Sequence, residues 1–339
     1  MIFRSLLLAA SCTFWGGTAL AEPGPAISGP INTRITGDIV PTHDPVLVKE
    51  KATYYVFGTG HMVSVKTSPD LIHWTAQPPL FTDLPDWATR AVPGSKDMWA
   101  PDMSFFGGRW HLYYAVSTFG SNRSAIGLFT SPTLDPKAPD YRWKDEGPVV
   151  MSHPSDDFNA IDPNHFIDAD DHHWLALGSF WGGIKLFALD PRSGKLLDPP
   201  GTPITIARRH APAGGPAPIE APFLVSHDGY YYLFVSYDYC CKGANSTYYT
   251  VVGRSKDVRG PYQGKDGSRL IDGEGTIVLR ADLEEQERFR GPGHPGFLRD
   301  TDGKDYLVYH AYDRLNHGAS TLRISPVEWS ADGWPVASR

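Results

Sequence analysis

Five ionisable residues recur along this chain, each at or within two positions of a proline and just ahead of a short apolar stretch. They are Asp44, Asp102, Asp162, Glu220 and His294. Glycoside hydrolysis needs two carboxyl groups, one acid that protonates the leaving oxygen and one carboxylate that acts as base or nucleophile. If these positions meet in one pocket, they predict a site of that kind.

The five side chains are not equivalent. Glu220 is the only glutamate among them and reaches furthest, so we expect it to be the general acid. Asp44 and Asp162 form the remaining pair, and a carboxylate near the acid raises the pKa of that acid by like-charge repulsion. At Asp102 the proline precedes the acid, which predicts another orientation. His294 has two interpretations, a buried hydrogen-bonded residue or a group that holds a hydrated cation or tunes Asp44.

The spacing of these residues predicts the fold. They are separated by 58, 60, 58 and 74 residues, and each begins the same pattern of apolar strand, Gly/Asp turn and aromatic strand. A fixed period with room for about four short strands is typical of a propeller blade. We therefore expect an all-β, single-domain, five-bladed β-propeller over residues 22–339, with the five ionisable residues around its axis. Unrelated Asp-Pro turns in a generic all-β chain would not share the same aromatic partner strand.

Composition agrees with this and excludes some partners. The chain has 339 residues, of which 41% are hydrophobic and 12% aromatic, with 34 Gly and 30 Pro for many turns. A net charge of −7 without a basic run argues against nucleic-acid binding. Most of the aromatic residues are expected in strand cores, and those at blade mouths could stack on sugars. A closed propeller needs no partner, so a monomer is expected.

The first 21 residues predict a signal peptide. Arg4 is followed by an apolar stretch, Leu6 to Ala10, and then by Ala19-Leu20-Ala21, a small-residue cleavage site. This predicts an exported protein, periplasmic or extracellular, without a membrane span. A lipoprotein signal anchored at Cys12 is the alternative.

Two adjacent cysteines remain after such cleavage. Cys240 and Cys241 could form a vicinal disulfide in an oxidising compartment or remain two thiols, and the sequence leaves both open. No set of Cys and His has the spacing of a zinc site.

Several motifs give the mature chain a specific resemblance. It resembles the family 43 glycoside hydrolases, and within them the endo-1,5-alpha-L-arabinanases, over nearly its whole length. The motifs that carry the resemblance are His43-Asp44-Pro45, Trp99-Ala100-Pro101-Asp102, Ser117-Thr118-Phe119-Gly120-Ser121-Asn122, Asn159-Ala160-Ile161-Asp162-Pro163, Gly178-Ser179-Phe180-Trp181, Ile219-Glu220-Ala221-Pro222, Cys240-Cys241-Lys242-Gly243, Asn245-Ser246-Thr247-Tyr248 and Gly291-Pro292-Gly293-His294.

The resemblance implies an inverting hydrolase of arabinan, the side chain of pectins. Asp44 would be the general base and Glu220 the general acid. Asp162 would raise the pKa of this acid and orient its side chain. His294 would help to hold a calcium ion through water molecules. The implied substrate contacts are Asp44, Trp99, Phe119, Gly120, Asn159, Ala160, Ile161, Asp162, Ser179, Phe180 and Trp181.

Two other functions compete with an endo-acting arabinanase. An exo-acting arabinofuranosidase or xylosidase would use the same carboxyl groups in a walled pocket instead of an open groove. A non-catalytic carbohydrate-binding propeller would lack the acid or the base, and this sequence has both.

Overall fold

The computed structural model describes residues 31–211, 215–281 and 287–338, and these form a five-bladed β-propeller. The predicted signal peptide, residues 1–21, lies outside the described residues. Within each blade, consecutive strands pair antiparallel, from the innermost strand at the axis to the outermost. The all-β, five-bladed prediction is confirmed.

Blades 1 and 2 hold the first nine strands and a short helix. Blade 1 has an additional strand, because β1 pairs parallel with the outer strand β5. The elements are β1 (Thr36–Gly37), β2 (Val46–Glu50), β3 (Thr53–Gly58), β4 (Ser64–Ser68), β5 (His73–Gln77), α1 (Asp86–Ala91), β6 (Trp99–Phe106), β7 (Arg109–Val116), β8 (Ser124–Ser131) and β9 (Lys144–Ser152).

Blades 3, 4 and 5 have four strands each. Short 3-10 helices lie at Ile31–Thr33, Gly243–Asn245, Leu270–Asp272 and Arg314–Asn316. The strands are β10 (Asn164–Ile167), β11 (His173–Leu177), β12 (Ile184–Leu189), β13 (Ile204–Ala207), β14 (Ile219–His227), β15 (Tyr230–Tyr237), β16 (Tyr249–Ser255), β17 (Thr276–Leu279), β18 (Phe289–Arg299), β19 (Asp305–Asp313), β20 (Ala319–Trp329) and β21 (Pro335–Ala337).

An apolar cluster fills each of the five interfaces between neighbouring blades. The second strand of every blade supplies one fully buried aliphatic residue to a different cluster: Val56, Leu112, Leu175, Leu233 and Leu307. Burying such a side chain stabilises the fold by about 1.5–3 kcal/mol. These aromatic-rich second strands are the ones that the repeat in the sequence predicts, and their packing holds the innermost strands in place.

The ring is closed by the segment that precedes blade 1. Asn32 is buried and donates to Ser325 Oγ (2.8 Å) in blade 5, while its Oδ1 accepts from the backbone N–H of Ile324 (2.7 Å). Four residues later, β1 joins the outer edge of blade 1. These contacts of Asn32 and β1 connect blade 5 to blade 1 and close the ring.

Candidate active site

Four of the five recurring positions meet at one cavity at the mouth of the propeller. Asp44, Asp162, Glu220 and His294 all line this cleft, whose volume is about 920 Å³. Asp44 and Asp162 lie just before the innermost strands β2 and β10, whereas Glu220 and His294 lie within β14 and β18. The convergence that the sequence repeat predicts is therefore present.

A backbone feature recurs with them. Each blade has one non-glycine residue in the left-handed region at this point: Asp44 (φ 48°), Ala100 (φ 42°), Asp162 (φ 56°), Ala221 (φ 54°) and His294 (φ 53°). This conformation costs an L-residue about 1–2 kcal/mol and persists only where the surroundings hold it. Its fivefold recurrence shows that every blade has the same kink within its innermost strand or just before it.

Two imidazole nitrogens and one hydroxyl group contact the carboxylate of Asp44. Its Oδ1 lies 2.9 Å from His43 Nδ1 and 3.0 Å from His294 Nδ1, and its Oδ2 accepts from Thr59 Oγ1 (2.6 Å). Burial alone would raise the pKa of Asp44, but the two histidines outweigh burial and hold this pKa well below its usual range. Asp44 is therefore ionised at neutral pH, as a general base must be.

Glu220 and Asp162 lie in the opposite electrostatic environment. Burial raises the pKa of both, and the nearby Glu220 and Asp44 raise that of Asp162 further by like-charge repulsion. Ser179 Oγ donates to Glu220 Oε2 (2.7 Å), and the backbone N–H of Ala221 donates to Asp162 Oδ2 (3.2 Å). One carboxyl group with a lowered pKa and two with a raised pKa thus face the same cleft.

The resident cation implied by the resemblance can be tested against the donors near His294. Its Nδ1 faces Asp44; burial lowers the pKa of His294, but Asp44 outweighs burial and raises this pKa to about 9. Calcium prefers six to eight oxygen ligands, whereas an imidazole offers only nitrogen and the carboxylate of Asp44 is already engaged by its partners. These residues fit a calcium ion only if water molecules provide most of its ligands, which is the arrangement that the resemblance implies.

Asp102, the remaining one of the five recurring residues, serves the fold instead. It is buried and accepts from the backbone N–H of His165 (2.8 Å) and from Asn164 Nδ2 (3.3 Å). Asn164 Oδ1 in turn accepts from the backbone N–H of Leu224 (2.8 Å). Asp102 therefore ties blades 2, 3 and 4 together at their inner strands, in agreement with its reversed Pro-Asp order.

The predicted substrate contacts lie around the cleft with one exception. Phe119 is 88% exposed and Trp181 is 39% exposed, so both present aromatic surface at the mouth. Ala160 is fully buried in the core between blades 2 and 3, so its side chain does not reach the cleft. The predicted contacts that line the cleft are Asp44, Trp99, Phe119, Gly120, Asn159, Ile161, Asp162, Ser179, Phe180 and Trp181.

Thr59, Cys240 and Cys241 also line the cleft, although the sequence did not predict them as substrate contacts. Thr59 holds Asp44 and also accepts from the backbone N–H of Ala100 (2.7 Å). Cys240 and Cys241 are joined as a vicinal disulfide in the wall of the cleft, which decides between the two states left open above. The Cys-Cys pair was a visible signal for this wall, whereas no sequence signal distinguishes Thr59 from other strand-end threonines.

Fold and site together define a class of protein: a propeller glycoside hydrolase whose cleft holds carboxyl groups with lowered and with raised pKa values. Residues 39–335 match the family model described as "Glycosyl hydrolases family 43". The chain belongs to this family. The resemblance stated from the sequence motifs is thereby confirmed.

Relatives of known name differ in their mode of action. The chain is 42% identical over 306 residues to an extracellular exo-alpha-(1->5)-L-arabinofuranosidase of Cellvibrio japonicus, which covers 87% of this chain and 86% of the relative. It is 41% identical over 338 residues to an extracellular endo-alpha-(1->5)-L-arabinanase of Bacillus subtilis, covering 98% and 96%. A solved Cellvibrio cellulosa alpha-L-arabinanase complexed with arabinohexaose has a TM-score of 0.83 at 40% identity, covering 88% and 96%.

Proposed function

We propose that this protein hydrolyses internal alpha-1,5-L-arabinofuranosidic bonds of arabinan with inversion at the anomeric carbon. The observation that carries the proposal is the contrast within one cleft between Asp44, which two histidines contact, and the buried Glu220–Asp162 pair, whose pKa values burial raises. The sequence similarity to the Bacillus subtilis endo-arabinanase, which extends over 98% of the chain, supports the substrate class.

The chemistry follows from the environments of the carboxyl groups. Asp44, held ionised by His43 and His294, removes a proton from the water that attacks the anomeric carbon. Glu220, held by Ser179 Oγ, gives its proton to the departing sugar oxygen. Asp162 raises the pKa of this acid, because two neighbouring buried carboxyl groups do not both ionise. Attack and departure on opposite faces of the sugar invert the configuration.

An exo-acting arabinofuranosidase is the second candidate function. The cleft wall between blades 3 and 4 favours it. Ala211, Gly215, Pro216 and Ala217 border the cleft on the blade 3–4 side. A loop in this place limits how far a chain can extend past the carboxyl groups. The similarity to the Cellvibrio japonicus exo-enzyme supports the same alternative.

A product profile over time on linear alpha-1,5-arabinan separates the two. Endo cleavage releases mixed oligosaccharides early, with a rapid fall in viscosity. Exo cleavage releases one short product from the start, with viscosity falling slowly. Proton NMR of the first product should show the β-anomer at the new reducing end, and an initial α-anomer would contradict inversion. If no arabinan yields product, the proposed function is wrong.

We propose further that a hydrated calcium ion binds beside His294. Its positive charge would help to keep Asp44 deprotonated when His294 itself is neutral. A chelator should then lower the melting temperature by about 2–5 °C. His294→Ala should abolish this response to chelation, and an equal response in the variant would place the ion elsewhere.

We also propose export and a monomeric state. Both relatives named above are called extracellular, and residues 1–21 have the pattern of a signal peptide. Within the described part of the chain, no helix is long and apolar enough to cross a membrane. The sequence of the mature N-terminus and the elution volume on gel filtration test these two points.

A further inference from the structure

The disulfide turn, defined as Tyr239 to Lys242, forms one wall of the cleft. All four of its residues line the cavity beside Asp44. Cys240 is half-buried and Cys241 is exposed, so solvent and small reagents reach the S–S bond. Neither the proposed mechanism nor the substrate contacts predicted from the sequence use this turn.

A chain of hydrogen bonds connects the disulfide turn to Asp44. The backbone N–H of Cys241 donates to Tyr312 Oη (2.8 Å), and Tyr312 Oη lies 2.8 Å from His43 Nε2. His43 Nδ1 lies 2.9 Å from Asp44 Oδ1. Because the carboxylate can only accept, Nδ1 carries the proton, and in the neutral imidazole Nε2 accepts from the tyrosine hydroxyl. All donors then point from the turn towards the base.

The disulfide turn contains a backbone conformation that is unfavourable for its residues in isolation. Cys241 has φ 67°, in the left-handed region that L-residues disfavour. Its restraints are the bond to Cys240, the bond to Tyr312 and the donation from the Lys242 N–H to Ser246 Oγ (3.1 Å). Removal of the S–S bond leaves two hydrogen bonds to oppose this preference, and one of these is the bond to Tyr312.

We propose that the disulfide turn is a positioning element of the active site: through Tyr312 and His43, the Cys240–Cys241 bond orients the base Asp44 and holds one wall of the substrate cleft. Reduction of this bond lowers the activity. Tyr312 and His43 are thus positioning residues. This inference rests on the proposed hydrolytic function, and Asp44 itself remains the group that contacts the reacting water.

Reduction of the Cys240–Cys241 bond is a two-electron reaction. A dithiol such as dithiothreitol supplies two electrons and two protons to the S–S bond. The sulfur atoms of Cys240 and Cys241 become thiols, and the reagent becomes its cyclic disulfide. Air or a disulfide oxidant reverses the reaction. No other group of the site changes its oxidation state.

The first experiment compares oxidised and reduced enzyme on linear arabinan at 25 °C. Peptide mass after alkylation establishes the state of residues 240 and 241. Reduction should raise KM a few-fold and lower kcat about tenfold, and reoxidation should restore both. The variant C240A/C241A should have the kinetics of the reduced enzyme and no response to dithiothreitol. That insensitivity also excludes an effect through Cys12.

The second experiment tests the connection to the base. Tyr312→Phe removes the hydroxyl but keeps the ring, and should lower kcat about tenfold while KM stays within about twofold. Combining it with C240A/C241A should lower kcat no further, because both changes break the same chain of hydrogen bonds. Tyr262→Phe is the matched control, since its buried hydroxyl donates to the backbone of Val258 (2.6 Å), outside the cleft.

The outcomes separate this inference from the proposed function. If oxidised wild-type enzyme releases nothing from any arabinan, the proposed function is wrong. If it is active and reduction leaves kcat within twofold, the positioning role is wrong. Additive losses in the combined variant would show that the turn and Tyr312 act independently. A lower melting temperature with unchanged kcat would mean that the disulfide only stabilises the fold.

Discussion

Histidines gather in two regions of this propeller, and a carboxylate contacts the imidazole rings in one of them. The axial histidines His43, His294 and His310 surround Asp44, with the rings of His43 and His310 stacked at 4.0 Å. The interblade histidines His111, His165 and His173 lie between blades 2 and 3, where His165 Nε2 is 2.9 Å from His173 Nδ1. The ring of Phe106 stacks on His111 at 3.5 Å.

Of these two regions, only the axial one has a carboxylate within contact distance of its imidazole rings. Burial lowers the pKa of His294, yet Asp44 reverses the effect and raises this pKa to about 9. Among the interblade histidines burial prevails, so the pKa of His111 falls to about 4 and that of His165 falls well below its usual range. Direct contact with the carboxylate at 3.0 Å therefore favours the cationic form of His294, whereas burial prevails at His310, 3.7 Å from Asp44, and lowers its pKa as it does among the interblade histidines.

The largest expected effect comes from removal of that carboxylate. Asp44→Asn keeps the shape of the side chain but leaves the axial histidines without this anion, and it removes the proposed general base. We expect activity on arabinan to fall by about 10³-fold or more, as initial rates would measure. Asp102→Asn is the control, because this carboxylate serves the fold, and its activity should stay within about fivefold of wild type. Less than a tenfold loss in the Asp44 variant would mean that another group is the base.

A smaller effect should follow when a positive axial histidine is replaced. In His294→Gln, Asp44 loses one of the two partners that lower its pKa, so this pKa should rise. The acid limb of the kcat/KM profile should then move to higher pH, and activity at pH 7 should fall about tenfold. An acid limb in its original place would show that His43 suffices to keep Asp44 ionised.

The interblade histidines should affect stability instead of rate. The folded-state pKa of His111, about 4, lies below the value near 6.5 of a free histidine. The stability that its neutral form contributes is complete above about pH 6.5 and is lost as the pH falls towards 4, by up to about 3 kcal/mol. Urea unfolding at pH 7 and pH 4.5 measures this loss.

Two variants make the stability measurement specific. His111→Phe keeps an aromatic ring against Phe106 and cannot be protonated, so its stability should fall less between the two pH values than that of wild type. His61→Gln changes an exposed histidine and should follow wild type. If the His111 variant loses as much stability in acid as wild type does, protonation of this residue is not the cause.

The sequence predicted the features that a repeat can encode. The five-bladed fold and the convergence of Asp44, Asp162, Glu220 and His294 both follow from one period, because equivalent positions in a ring point to one axis. Asp102 was separated from them by its reversed proline order, and its hydrogen bonds to blade 3 agree. Their catalytic roles remain predictions until the variants are measured.

Contacts outside the repeat were not predictable. Tyr312 lies on the second strand of blade 5 and meets His43 across 269 residues, which no local pattern indicates. The helix α1 was not predicted from the sequence, because the surrounding residues 79–98 lack a sustained apolar period. The choice between disulfide and thiols depends on how the turn folds, since adjacent cysteines are equally compatible with both.

The way the ring closes has a consequence for the biogenesis of the protein. Asn32 is among the first described residues to be synthesised, and its partner Ser325 follows 293 residues later. The apolar surface of blade 1 and of the segment before it therefore stays partly exposed until the last blade has emerged from the ribosome. Such a late, long-range contact makes final assembly slow and leaves the nascent chain exposed to aggregation and proteolysis. A truncation of the C-terminal blade should leave not a four-bladed enzyme but an open, short-lived chain.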